Sequence, residues 1–361
     1  MSQATTENIP ESYLKYTRRK FLVIGLLLLV ILFLGGYAIN AGSAEITPAQ
    51  VLMTLLGRAA ESNDVIIWNI RLPRSLAAVV AGMGLAMAGC VMQTVLRNPL
   101  ASPFTLGISQ GAACGAAVAI TLGAGSTGAV IAINNPYLVT FAAFLGAMTA
   151  TLVILFLARI KGVTPEGMVL SGVAMGSLFS AVLVVLQYVA SDVQLAAIVS
   201  WTFGDVGRAS WSNLKIMAAM TGVTFVYFLV NRWNYNALTS GDETAKGLGV
   251  NVDKIRLTGM FLSFLVTAVA VSFLGIIGFI GLVGPHIMRR IVGGDHRFLI
   301  PAASLAGGVL LLASDIVART VVAPVVLPVG AISSFMGAPL FLYLLAGGTE
   351  EDDFSGRWCG I

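Results

Sequence analysis

The stretch from Leu257 to Met288 holds 32 residues without one Asp, Glu, Lys or Arg. A helix needs about 20 apolar residues to cross the hydrocarbon of a bilayer. The run is therefore long for one crossing and short for two full ones. Gly275, Gly278 and Gly281 interrupt it. The pattern predicts a full span from about Leu257, a turn, and a shortened span ending at Pro285-His286-Ile287-Met288-Arg289-Arg290. Such a broken pair is tolerable only where protein surrounds it, because lipid cannot satisfy loose backbone groups.

The rest of the chain follows the same rule. Charged residues make up 11% of the 361 and mean hydropathy is +0.89, whereas soluble domains carry about 25% charged residues. The apolar runs are continuous rather than alternating, which favours helices over a barrel. The prediction is an all-α polytopic membrane protein of ten transmembrane helices. Residues 1–20 form an N-terminal tail, 21–346 the membrane domain, and 347–361 an acidic, then irregular, C-terminal tail.

The first span, Phe21–Ile39, follows Lys15, Arg18, Arg19 and Lys20. Its length suits an uncleaved crossing better than a signal peptide cut near Ala41–Ala44. A short amphipathic piece is expected around Pro48–Leu56. Further spans are expected from Arg71-Leu72-Pro73-Arg74 to Val95, from about Leu106, and over Tyr137–Leu157, Glu166–Leu186 and Leu214–Val230. The last two cover Phe298–Val317 and the run after Pro328 to about Leu345. Forty glycines suit close helix packing. The three cysteines show neither metal spacing nor a disulfide framework.

With the N-terminus inside, 15 of the 21 basic residues fall in the cytoplasm, among them Arg97, Arg159, Lys246, Arg256, Arg289 and Arg297. That agrees with the positive-inside rule and places both termini in the cytoplasm.

One island of charge interrupts the apolar chain, Ser240–Arg256. Asp242 and Glu243 ahead of Ala245 and Lys246 suit a short helix with acid at its positive end. Gly247 and Gly249 would stop it, and Asn251-Val252-Asp253 could start a second. Two short helices held at the membrane surface would make a rigid protrusion; an ordinary solvated loop is the alternative.

The chain has no GxxxxGK[ST] motif and no Gly-Lys dipeptide, so it offers no phosphate loop for ATP. Its acids lie at span ends or in loops, with Asp315 nearest to an exception, and its histidines, His286 and His296, lie between Pro285 and Arg297. That disfavours an ion-coupled secondary transporter, which needs a titratable site at mid-membrane. Asp295-His296-Arg297 reads as a structural turn more readily than as a chemical site. Arg71, Arg74 and Arg319 lie near external span ends. They are either anchors that snorkel to the interface or docking points for an acidic partner.

Several segments together resemble the FecCD family of ABC-transporter permeases, whose members import iron–siderophore complexes, haem and vitamin B12. They are Arg71-Leu72-Pro73-Arg74, Arg97-Asn98-Pro99-Leu100-Ala101 with Leu106-Gly107-Ile108-Ser109, Gly241–Val250, Gly278–His286, Asp295-His296-Arg297, Ser314–Arg319, Leu327–Gly330 and Gly337-Ala338-Pro339. The resemblance covers about residues 20 to 346. It implies a BtuC-like type II importer permease in the cytoplasmic (inner) membrane of a bacterium or archaeon. Its expected partners are a second permease chain, two ABC ATPase subunits, an external or periplasmic solute-binding protein and membrane lipid, without nucleic acid. The chain is expected to bind no cofactor and to be no enzyme; ATP and Mg belong to the partner ATPase.

By position, the resemblance assigns ATPase coupling to the 240–256 segment, through Gly241, Asp242, Glu243, Ala245, Gly247, Leu248, Gly249 and Val250. It assigns docking of the binding protein to Arg71, Arg74 and Arg319. The translocation path falls to Val163, Thr164, Ser171, Gly172, Gly176, Ser177 and Ser180, with Val163-Thr164 at the cytoplasmic gate. Gly284 departs from the family pattern, and a looser turn is expected there. The expected ligand is an iron–siderophore or related chelate, with cobalamin or haem as alternatives.

Overall fold

A computed structural model of the chain describes residues 11–41, 47–55, 64–122, 136–160 and 164–346. These residues form helices and turns, with no strand among them. In chain order the helices are α1 Glu11–Asn40, α2 Pro48–Leu55, α3 Leu72–Val95, α4 Ile108–Leu122, α5 Pro136–Ile160, α6 Pro165–Val189 and α7 Asp192–Thr202. There follow α8 Trp211–Val230, α9 Arg232–Thr239, α10 Asp242–Gly247, α11 Val252–Leu274, α12 Ile280–Val292, α13 His296–Thr320 and α14 Val329–Ala346. Among the described residues, seven stretches are long and apolar enough to cross a membrane: within α1, Val65–Val95, within α5, α6, α8, α11 and α13. The shorter α4, α12 and α14 occupy the other three predicted crossings. Val163 and both predicted tails beyond residues 11–346 lie outside the described residues.

Three boundaries differ from the sequence reading. A π-helical turn, Val65–Arg71, feeds directly into α3, so the helix begins before Arg71. Its Ile67 is fully buried. The second short helix expected at Asn251 is instead the first turn of α11, capped by the Asn251 side chain accepting from Lys254 N at 3.0 Å. An unforeseen amphipathic helix, α9, precedes the island and buries Tyr235 and Leu238.

α3 is the centre of the bundle, and most of its residues are buried. It crosses α13 at Gly82 and Gly307, where a Cβ on either glycine would overlap the other's carbonyl oxygen. Gly111 and Gly146 bar each other in the same way between α4 and α5, while a Cβ on Gly89 would overlap Gly281 O of α12 and one on Gly281 would meet Leu85 O. Close backbone approach of this kind supplies the dispersion contact that membrane helices need, since lipid gives no hydrophobic drive between them. α1 and α6 are the opposite case. They expose Phe21, Leu26, Leu32 and Phe33, and Leu170, Leu178, Val184 and Tyr188, to their surroundings.

The broken pair is as the charge-free run predicts. α11 ends at Leu274, Gly275 takes φ +77° and Phe279 φ +65°, and α12 starts at Ile280. Protein packs round the break. Leu274 O accepts from Asp205 N at 2.7 Å, and Gly204 and Gly330 bring their backbones onto Ile276 O. The looser turn expected at Gly284 is absent: α12 runs through Gly284-Pro285 without interruption. Gly284 is buried and leaves room for Ala86 of α3.

Candidate functional site: two polar ends of one bundle

Hydrogen bonds give the bundle two distinct ends. α3 and α13 run antiparallel, so Arg71, Arg74 and Arg319 meet at one end while Thr94 and His296 meet at the other. The first end collects the last residues of α1, α11 and α13; the second collects the first residues of α11 and α13.

At the first end, Arg71 donates to Ile39 O at 2.7 Å and Asn40 O at 3.0 Å. Arg319 donates to Ala38 O at 3.2 Å and Ala41 O at 2.8 Å. The final carbonyls of a helix lack intrahelical donors, and its negative dipole end favours cations. The two guanidiniums therefore cap α1. Asp315 is wholly buried and lies 2.8 Å from Arg74 and 3.0 Å from Arg319. Asp205 approaches Arg74 at 3.8 Å. The three arginines, expected as docking points, are thus largely engaged within the chain. Arg71 and Arg319 are 5% and 8% exposed and the Arg74 side chain 11%, so each is spent on contacts within the chain. Snorkelling does not describe them, because their heads point into protein.

At the second end stands the island. α10 carries Asp242 and Glu243 in its first turn and Lys246 in its last. Its end is a Schellman motif: Val250 N donates to Ala245 O at 3.0 Å and Gly249 N to Lys246 O at 2.9 Å, with Gly249 at φ +82°. Ala245 is fully buried, whereas Glu243, Lys246, Gly247, Leu248 and Gly249 are exposed, Leu248 by 69%. Gly241 opens the helix at φ +115°, and Val250 is half-buried.

The grip on α10 was not visible in sequence. Asp242 pairs with Arg97 at 2.6 Å and with Arg256 at 2.8 Å. Arg256 is 2% exposed and also donates to Val95 O, the end of α3, at 3.0 Å. A solvated loop would have no reason for such a clamp. α9 is held separately: Asn236 Oδ1 accepts from His296 N and from His296 Nδ1, both at 2.8 Å, and Asn236 Nδ2 donates to Asp295 at 3.0 Å. The oxygen's two donors place the ring proton on Nδ1, which leaves Nε2 to face Thr94 Oγ1 at 2.7 Å. Asp295 caps α13 by accepting from Arg297 N at 3.0 Å, so the structural reading of Asp295-His296-Arg297 holds. Lys20 is buried beside this cap, 3.9 Å from the Tyr16 ring centre and 4.9 Å from that of Phe298.

The expected path residues on α6 do not share one face. Gly172 and Gly176 pack against Leu106-Gly107 of their own chain, Ser177 is exposed, and Ser171 and Ser180 are half-buried. Thr164 caps α6 by accepting from Gly167 N at 3.2 Å. Small residues that suit a smooth channel wall also suit helix packing, and sequence spacing alone cannot separate the two.

Comparison with known proteins completes the picture. A protein of Methanocaldococcus jannaschii named as an ABC transporter permease is 55% identical over 94% of this chain and 98% of its own length. The hemin transport system permease of Yersinia pestis is 38% identical over 91% of this chain and 96% of its own. A structure titled as an inward-facing conformation of a metal-chelate type ABC transporter superposes with a TM-score of 0.80 at 28% identity, covering 90% of this chain and 99% of that one. An all-helical, multi-pass bundle of this shape is the membrane-embedded permease subunit of a type II ABC importer. Residues 27–347 match the FecCD transport family, and the chain belongs to that family.

Proposed function

We propose that the chain carries an iron–siderophore, or a related metal chelate, across the cytoplasmic membrane by ATP-driven alternating access. Ten helices cross the bilayer and both termini are cytoplasmic. A second copy completes the path, with α6 and its exposed Ser177 beside the two-fold axis. Two ABC ATPase subunits hold the ATP and Mg; the chain itself holds no cofactor. A solute-binding protein delivers the ligand at the Arg71–Arg74–Arg319 end. Those guanidiniums shape that face by fixing α1, α3 and α13 rather than by reaching out singly. Iron chelates lead because relatives named for hemin, ferric citrate and ferric hydroxamate match over nine-tenths of the chain; cobalamin relatives match too.

The observation that carries the coupling role is the clamp on α10. A six-residue helix with an exposed Leu248 tip is tied by Asp242 to the turn after α3 and to α11. A rigid element of this kind can bias two states of the helices behind it, as a floppy loop cannot. Leu248→Asp should therefore reduce co-purification of the ATPase subunits while the permease still inserts; unchanged co-purification removes the assignment. For the ligand, the partner binding protein should prefer a ferric siderophore over hemin and cobalamin in a titration panel. Tighter binding of either alternative reassigns the cargo.

A further inference from the structure

The ion pairs of Asp242 hold α10, yet α9 has a separate attachment that no ion pair to α10 explains. Asn236 ties α9 to the start of α13 with three hydrogen bonds between 2.8 and 3.0 Å, beside ring contacts of Tyr235 with His296 and of Trp233 with Arg297. His296 passes the chain on to Thr94 of α3, whose one hydroxyl hydrogen serves either His296 Nε2 at 2.7 Å or Cys90 O at 3.0 Å. His296 is 0% and Thr94 3% exposed. The end of α3 thus receives both attachments: Thr94 from α9, and Val95 O and, in the turn just beyond the helix, Arg97 from the α10–α11 side. α3 then runs, locked to α13 at Gly82·Gly307, to the Arg74–Asp315–Arg319 cluster at the opposite end.

We infer that Asn236, with His296 and Thr94, is a positioning latch that transmits movement of the coupling segment to the α3–α13 pair. This rests on the coupling role proposed above for α10. A buried polar chain suits the task because its bonds are directional and costly to leave unmade. Displacing α9 must either carry α13 and α3 along or strand the Asn236 amide and the His296 ring without partners. Apolar packing alone would let α9 slide. The geometry also separates two duties: α10 meets the ATPase, and α9 holds the bundle to it.

The test uses the assembled transporter, permease with ATPase subunits, in vesicles. Ser177→Cys on α6 reports the conformation through its labelling rate with a membrane-impermeant thiol reagent, with and without vanadate-trapped nucleotide. In the Ser177→Cys parent the rate should change on trapping. With Asn236→Ala added, ATP hydrolysis should continue while the nucleotide-dependent change in labelling shrinks about tenfold, the size of a typical coupling free energy. Thr94→Val, which keeps its shape and loses only the hydroxyl, should shift labelling the same way by a smaller factor. A merely structural role predicts a lower Tm with the labelling change intact, and that result in either variant overturns the latch. If Asn236→Ala fails to assemble, Thr94→Val decides alone. A parent that shows no nucleotide response takes down the coupling reading and the latch with it, whereas a responsive parent with responsive variants takes down the latch only.

Discussion

Asp315 shows how a single residue can be noticed in sequence while its partners stay hidden. It stands out as the acid closest to the interior of a span, and the three arginines stand out near span ends. Their pairing stays hidden because Arg74 and Asp315 are separated by 241 positions, and no local pattern reports contact across that distance. The structure turns an apparent outward-facing basic patch into a buried cluster. Asp315→Asn should leave Arg319 without its counter-ion and Arg74 with only Asp205 at 3.8 Å. The expected cost is about 3–5 kcal/mol, the usual penalty for stranding one side of a buried pair. A thermal melt of the detergent-solubilised protein would register it, and an unchanged Tm would mean the cluster is solvated in the membrane-bound protein.

At the scale of elements, α10 was readable because its signals are local. Acids at the start, Lys246 near the end and Gly249 beyond it are chemistry that acts within one turn. α9 was not readable, since Asn, Arg and Trp around Tyr235 and Leu238 resemble a polar connection until tertiary packing buries one side. The two glycines at the end of α10 now separate. Gly249 holds φ +82° and Gly247 is helical with open space around it. Gly249→Ala should cost about 1 kcal/mol and loosen the turn into α11. Gly247→Ala should leave the fold intact, so any loss of ATPase stimulation there reports the contact surface itself.

Asp295 makes a second element-scale prediction. Burial pushes its carboxyl up, but the bonds from Asn236 and Arg297 N, with the nearby Arg297 and Lys20 charges, outweigh burial and lower it. A lowered folded value means its contribution is present above the ordinary carboxylate range. It is lost as pH falls through that range toward the folded value. The Tm of the parent should therefore fall faster on acidification than that of Asp295→Asn; parallel curves would show that the cap carries no such linkage.

For the molecule as a whole, hydropathy and the charge-free run located the membrane domain and the break between α11 and α12. Glycines at the break and the absence of charge are properties of sequence alone. Which helices touch is different information: the Gly89·Gly281 contact depends on shape at a crossing, and forty glycines do not announce their partners. The proposed orientation can be read directly. Leu248→Cys should react with impermeant thiol reagent only from the cytoplasmic face, and Ser210→Cys, exposed just before α8, only from the other. Labelling of both from one side would invert or break the topology.

The crossing of Gly82 and Gly307 also restricts how this protein can drift. Each position is barred to alanine by the other's backbone, and Gly307 by the Ala86 methyl as well, so no second substitution at the partner glycine can compensate the first. Most packed pairs can trade volume, one residue growing as its neighbour shrinks. Here neither residue has anything left to give up, and a saturation library should recover glycine alone at both sites.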